Sequence, residues 1–287
     1  MCDEFIHPGL VTDTRLSRRA FGAAALGATA LATSPALAQS NVVEKDVTVT
    51  TPDGTCDAVL FHPAEGTHAA VLVWPDIMGL RPAFRDLGKR LASQGYTVLV
   101  PNPFYRSIKG LAITGTANFS DPDTRTRLTG YRQAMTDDGV DKDAIAYLGF
   151  LDAQPQTNKA KKVGVQGYCM GGSLSFRTAA AVPTRIAAVG SFHGGNGLVT
   201  KEANSPHLLI AKTNAAFLVC HAQNDDATMP QMKEDLKAAF TAAKHTATVD
   251  VYKADHGWCV PGSAVYNQAE AERAWTNLGN LYKTQLA

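Results

Sequence analysis

Val163-Gly164-Val165-Gln166-Gly167-Tyr168-Cys169-Met170-Gly171-Gly172 is a short β-rich run that ends in Gly-x-Cys-x-Gly and then turns helix-forming. The pattern reads as strand, sharp turn, helix. In a nucleophile elbow, Gly-x-Ser-x-Gly, the glycines remove side chains that would collide where strand and helix cross, and the central residue sits at a strained apex with its reactive atom exposed. Cys169 stands where that motif has serine. A free thiol titrates near pH ~8.5, and the positive end of a helix together with a nearby imidazole lowers that value. The competing reading is one more buried thiol, with the glycines serving only to pack helix on strand.

Outward from the elbow, β-rich runs alternate with helical ones, as in an α/β domain whose mostly parallel sheet is covered by helices on both faces. Upstream, the runs Val47–Thr51 and Ala58–His62 flank Pro52-Asp53-Gly54 and predict an antiparallel hairpin. Ala69–Trp74 is continuously apolar, the mark of a strand buried on both faces. A helix is expected over Phe84–Ser93, stopping at Gly95, then a strand over Thr97–Val100 closed by Pro101 and Pro103. Residues 104 to 136, rich in Thr, Asp, Arg and Gly, predict a loop with a short helix lying over the sheet, and Asp141 to Leu151 predicts a helix. Downstream, a helix over Met170–Ala181 precedes strands at Ile186–Phe192, Ala216–Cys220 and Thr248–Tyr252. Helices are expected over Met232–Ala243 and from Gln268 to Tyr282. No internal repeat or low-complexity tract is present.

The first 38 residues read differently. A polar lead, Ser17-Arg18-Arg19-Ala20-Phe21, the apolar run Gly22 to Ala32, and Ala36-Leu37-Ala38 before Gln39 compose a secretory signal of the twin-arginine type, with cleavage after Ala38. The apolar run is shorter than the roughly 20 residues of a membrane span. The expectation is an exported, periplasmic or secreted protein that meets the twin-arginine machinery and has no membrane attachment after cleavage. Residues 39 to 287 are long enough for one α/β domain with its own core, expected as a monomer.

A net charge of +1 with 18% charged residues offers no basic surface for nucleic acid or anionic membrane. Lys159-Ala160-Lys161-Lys162, the densest basic run, reads as a solvated strand entrance. Cys56, Cys169, Cys220 and Cys259 follow the leader without CxxC or metal-finger spacing, so no metal is expected. A Cys56–Cys259 disulfide is conceivable in an oxidising compartment. The default is none, because twin-arginine substrates fold before export in a reducing cytosol.

Nucleophilic catalysis needs a base and a group that orients it, here in the chain order nucleophile, acid, histidine. Asp225 and Asp226 follow the strand ending near Cys220, and His256 follows the last strand within Ala254-Asp255-His256-Gly257-Trp258. All three lie at carboxyl ends of strands, where such sheets gather chemistry. His193, in Phe192-His193-Gly194-Gly195, reads as a rim histidine, and His221 beside Cys220 as one satisfying a local hydrogen bond.

These residues resemble the dienelactone hydrolase family, and the resemblance covers the whole chain after the leader. Gly167-Tyr168-Cys169-Met170-Gly171-Gly172 is similar to the family's Gly-Tyr-Cys-x-Gly-Gly elbow. Asn224-Asp225-Asp226-Ala227-Thr228-Met229-Pro230 resembles its acid loop, with the aspartate four residues before a proline, and His256-Gly257-Trp258 matches its His-Gly-aromatic. The resemblance implies an α/β-hydrolase fold and a cofactor-free Cys169–His256–Asp226 triad, with Asp225 as the alternative acid. It implies an oxyanion hole from the backbone N–H groups of Ile77 and Met170. It also implies that Asp76, in Pro75-Asp76-Ile77-Met78-Gly79, replaces a family glutamate that holds and helps activate the resting thiol. Aspartate is one methylene shorter, and its other reading is a loop residue bonding backbone amides. The implied activity is cleavage of carboxylic esters or lactones of the dienelactone type, with Arg81, Arg125 and Arg127 available to hold a substrate carboxylate. The alternatives are a thioesterase or general esterase, and a non-catalytic small-molecule-binding protein on the same scaffold.

Overall fold

The computed structural model describes residues 11–13 and 41–287. The leader read from the sequence therefore lies outside the described residues, apart from strand β1 (Val11–Asp13), which pairs antiparallel with β6 (Thr116–Asn118). Among the described residues no helix is long and apolar enough to cross a membrane.

The remaining strands are β2 (Val42–Thr51), β3 (Gly54–Pro63), β4 (Ala69–Trp74), β5 (Tyr96–Pro101), β7 (Val163–Tyr168), β8 (Ile186–Phe192), β9 (Ala216–Ala222) and β10 (Ala247–Tyr252). They form one eight-stranded sheet in the order β10-β9-β8-β7-β4-β5-β3-β2. The expected hairpin is β2–β3, whose antiparallel pairing is continued by β3 on β5, while every pair from β5 to β10 is parallel. Every residue of β4, β7 and β9 is buried, as strands sandwiched between two helical layers must be. This is an α/β-hydrolase fold.

Alternation along each strand splits the core in two. Leu72, Trp74, Leu99, Val165, Val189 and Phe217 face one layer; Val71, Val73, Val98, Val100, Phe192 and Leu218 face the other. The first layer holds α3 (Asp137–Ala153), α4 (Met170–Ala181) and α7 (Gln231–Ala243), the second α1 (Pro82–Ser93) and α8 (Gln268–Gln285), while a short α5 (Pro206–Leu209) lies between β8 and β9 in the chain. Each fully buried side chain of this size contributes about 1.5–3 kcal/mol. One polar residue lies in the middle strand: Gln166 donates to Tyr168 Oη at 2.8 Å and accepts from Tyr282 Oη at 3.0 Å, which offsets the cost of its burial. Cys56 and Cys259 belong to opposite layers and both are free thiols, so the sheet itself prevents their pairing.

Between β5 and α3 the chain makes β6 and a full helix α2 (Pro122–Gln133), where a loop with only a short helix was expected. Asp121 caps α2 by accepting from the Thr124 N–H, and Pro122 occupies its first turn. Leu128 is its only buried residue, so the helix leaves almost no apolar periodicity to read.

The strand order fixes where chemistry can gather. From β4 the chain crosses through α1 to β5 on one side, then returns past α3 to β7 on the other side of β4. The crevice beyond the carboxyl ends of β4 and β7 is therefore the switch point of the sheet, where such folds bind ligands.

Candidate active site

Cys169 caps β7 and precedes α4 with φ 54° and ψ −120°. A left-handed backbone at a non-glycine residue costs about 1–3 kcal/mol and persists only when its surroundings enforce it. They do so here: the Cys169 N–H donates to Phe192 O at 3.0 Å, and the Cys169 carbonyl accepts from the Gly172 N–H at 2.9 Å. The glycines are required by space. A methyl on Gly167 would lie 1.8 Å from the Gly171 carbonyl oxygen, and one on Gly171 would lie 2.5 Å from that of Trp74. Trp74 Nε1 also donates to Thr178 Oγ1 at 2.9 Å, pegging α4 to β4. The sequence reading of strand, elbow and helix matches this geometry.

Cys169 also differs from the other thiols in its setting. Cys56, Cys220 and Cys259 are buried, whereas Cys169 is partly exposed. Burial pushes the Cys56 and Cys220 thiols up to about 12 and Cys259 well up, so none of the three offers a nucleophile at neutral pH.

His256 follows β10 in a turn that brings its ring to the elbow. Its Nδ1 lies 2.8 Å from Asp225 Oδ2, and its ring stands near enough to the Cys169 sulfur for the two to act on each other electrostatically. Burial works to lower its pKa, yet the value is held well above 6.5, because the sulfur of Cys169 and the carboxylate of Asp225 both favour the imidazolium. Asn224 ties the two loops together: its Oδ1 accepts from the His256 N–H at 2.9 Å and from the Asp225 N–H at 3.1 Å.

The acid is the point of correction. The proline spacing selected Asp226, but both oxygens of Asp226 accept from Lys233 Nζ, at 2.7 and 2.8 Å, and Asp225 faces the histidine. The loop is coiled into a short helix, α6 (Gln223–Thr228). Neighbouring residues on a helix point about 100° apart, so only one of two adjacent aspartates can reach the ring. Asp225 is 3% exposed and Asp226 19% by side chain.

Asp76 is also placed differently from its expected role on the thiol. It is fully buried after β4, and its oxygens accept from Arg81 Nη1 and Nη2 at 2.6 and 2.8 Å and from the Met78 N–H at 2.9 Å. Its alternative reading as an amide-bonding loop aspartate therefore describes the structure, with Arg81 added as a charge partner. Arg81, one of three arginines considered for a substrate carboxylate, is committed to this pair, while Arg125 and Arg127 are exposed on α2. Among the described residues, the bonds recorded for the two turns come from amides other than those of Ile77 and Met170: Gly79 donates to Asp76 O, Met78 to Asp76 Oδ1 and Gly172 to Cys169 O.

Of the two other candidate histidines, one departs from expectation. His193 is no rim residue: it is fully buried, with its ring centroid 4.7 Å from that of His256. His221 is buried, and among the described residues its Nε2 has no hydrogen-bond partner. Burial lowers the pKa of both, so each is neutral at neutral pH. Among the described residues no group of three or more His, Cys, Asp or Glu side chains is placed to hold a metal ion.

The family model of the dienelactone hydrolases matches residues 56–286. The chain belongs to the dienelactone hydrolase family. A relative in Saccharolobus solfataricus, named "Putative carboxymethylenebutenolidase", is 27% identical over 271 residues, covering 84% of this chain and 98% of that one. A relative of the same name in Methylorubrum extorquens is 25% identical over 287 residues, covering 96% and 95%. Among solved structures, a "Putative Dienelactone Hydrolase" from Klebsiella pneumoniae superposes with a TM-score of 0.71 at 22% identity, covering 85% of this chain and 99% of that one, a likeness of fold. As a dienelactone hydrolase family member the protein is a hydrolase, and the elbow, histidine and aspartate described above lie within the matched residues.

Proposed function

We propose that the protein cleaves carboxylic esters or lactones of the dienelactone type with Cys169 as nucleophile. The observation that carries this reading is the line Asp225–His256–Cys169, with the sulfur on a strained, partly exposed elbow. The sulfur attacks the acyl carbon, and the carbonyl oxygen takes the negative charge between the amides of Ile77 and Met170. Each such preorganised donor is worth roughly 3–4 kcal/mol at the tetrahedral intermediate. The C–O bond then breaks, the departing oxygen takes the proton carried by His256, and an acyl thioester remains. A lactone's leaving oxygen stays on the acyl chain. Water next adds to the thioester as His256 accepts its proton, and the C–S bond breaks to release the acid and restore the sulfur anion beside the imidazolium.

Iodoacetamide labelling at neutral pH, followed by intact mass and peptide mapping, tests the nucleophile beside hydrolysis of nitrophenyl acetate and dienelactone. Rapid modification at Cys169 with parallel loss of turnover is expected. Turnover of nitrophenyl acetate without dienelactone identifies a general esterase, and slow labelling with no turnover of either sinks the hydrolytic reading in favour of a binding protein.

We further propose that residues 1 to 38 direct export by the twin-arginine route. Arg18→Lys with Arg19→Lys is expected to leave the full-length chain in the cytosol, where the parent appears outside it with Gln39 as first residue. Unchanged export of the double variant would discard this assignment.

A further inference from the structure

His193 ends β8 as Cys169 ends β7, and the two share an unusual backbone. Its φ of 39° lies, like that of Cys169, in the left-handed region, and its N–H donates to Cys220 O at 2.8 Å, locking the bend to β9. The ring so placed is fully buried, and neither nitrogen has a hydrogen-bond partner on any other of the described residues. A buried imidazole without partners forfeits about 1–3 kcal/mol, and strain of this kind gathers where function requires it.

The ring's neighbours come from four places in the fold. The His256 ring meets it edge to face, with centroids 4.7 Å apart at 63°. Trp258 from the same loop lies at 5.2 Å and 68°, and Tyr168 of β7 at 6.1 Å. The charged groups that act on it are Asp225 from α6 and Arg81 from the turn after β4, the latter paired with Asp76.

We propose that His193 is a positioning residue of the hydrolysis, bracing the His256 ring so that one nitrogen faces Asp225 and the other Cys169. The proposal rests on the cysteine-hydrolase reading given above. An imidazole presented to Asp225 and the sulfur on its two nitrogens is still free to rock about the axis joining them, and an edge-on ring blocks that motion. The brace must also stay neutral: a second cation within 5 Å of the imidazolium, in a buried site, would expel the proton that His256 needs. Burial and the charge on His256 both hold the His193 pKa well down, in agreement with this requirement. An aromatic ring of similar shape that cannot ionise should therefore serve, and a small residue should not.

The test compares His193→Ala and His193→Phe in the full chain, each with thermal unfolding to establish that it folds. His193→Ala is expected to lower kcat about tenfold to a hundredfold with KM within about twofold, as for a misplaced catalytic group. His193→Phe is expected to recover most of that loss. A second readout needs no ester turnover: the rate of iodoacetamide alkylation at Cys169 against pH. In His193→Ala the rate at about pH 6, relative to its plateau at about pH 9, should fall about tenfold, the equivalent of one unit in the balance between the two groups. His193→Phe should keep the parent profile. A folded His193→Ala with parental kcat and alkylation profile overturns the proposal, and so does a His193→Phe as impaired as His193→Ala. A parent that alkylates rapidly at about pH 6 but turns over no ester counts against the hydrolase reading, and the alkylation series still decides the brace.

Discussion

Asp225→Asn lowers kcat/KM for ester hydrolysis by about 10³ to 10⁴, the scale seen when a buried triad aspartate loses its charge but keeps its shape, whereas Asp226→Asn stays within a few-fold of the parent. The amide presents an N–H or an uncharged oxygen to His256 Nδ1, so it neither fixes the ring's tautomer nor stabilises the imidazolium. Asp226 is paired with Lys233 instead. A pH readout accompanies the rate. The raised His256 value gives stability that is complete below the ordinary histidine value of 6.5 and is lost as pH rises through the folded-state value. Asp225→Asn removes one of the groups holding that value up, so its melting temperature should fall less than the parent's as pH rises above 6.5. Equal kinetic damage from the two substitutions would put both aspartates in the site and refute the assignment.

Gly167→Ala prevents the domain from folding, or destabilises it by about 4–5 kcal/mol or more, the range reserved for steric failures in a core. The added carbon would lie 1.8 Å from the Gly171 carbonyl oxygen and 2.6 Å from Ser175 Oγ. Both belong to α4, nine of whose twelve residues are buried, so the helix cannot move off the strand without opening the first core layer. Gly95→Ala controls for the substitution itself: nothing lies within 4 Å of its added carbon, although its φ of 94° still strains an alanine. Urea unfolding of both variants measures the contrast. A Gly167→Ala protein as stable as Gly95→Ala would mean that the elbow has slack it does not show.

How much of this was legible in the chain follows from the physics of each feature. The elbow could be read because crowding at a strand–helix crossing permits only glycine on either side of Cys169, and steric prohibition leaves its mark in sequence. Strand β4 could be read because burial on both faces demands an unbroken apolar run, and β7 and β8 because each keeps a mostly apolar, β-prone stretch around Gln166 and Ser191. Helix α2 was understated because it buries little beyond Leu128. The choice between Asp225 and Asp226 was not legible by spacing to Pro230, since it depends on the coiling of α6 and on Lys233, seven residues beyond Asp226. His193 escaped for a similar reason: nothing next to it in sequence announces that the loop after β10 will fold a second imidazole against its ring.

The bidentate Asp76–Arg81 pair ties two positions five residues apart into one unit of evolutionary change. Removing either partner alone strands its mate as an uncompensated charge inside the protein, at about 3–5 kcal/mol, although exchanging both together for apolar residues of matching volume can be nearly free. Lineages descending from this sequence should therefore drift at 76 and 81 in concert or not at all.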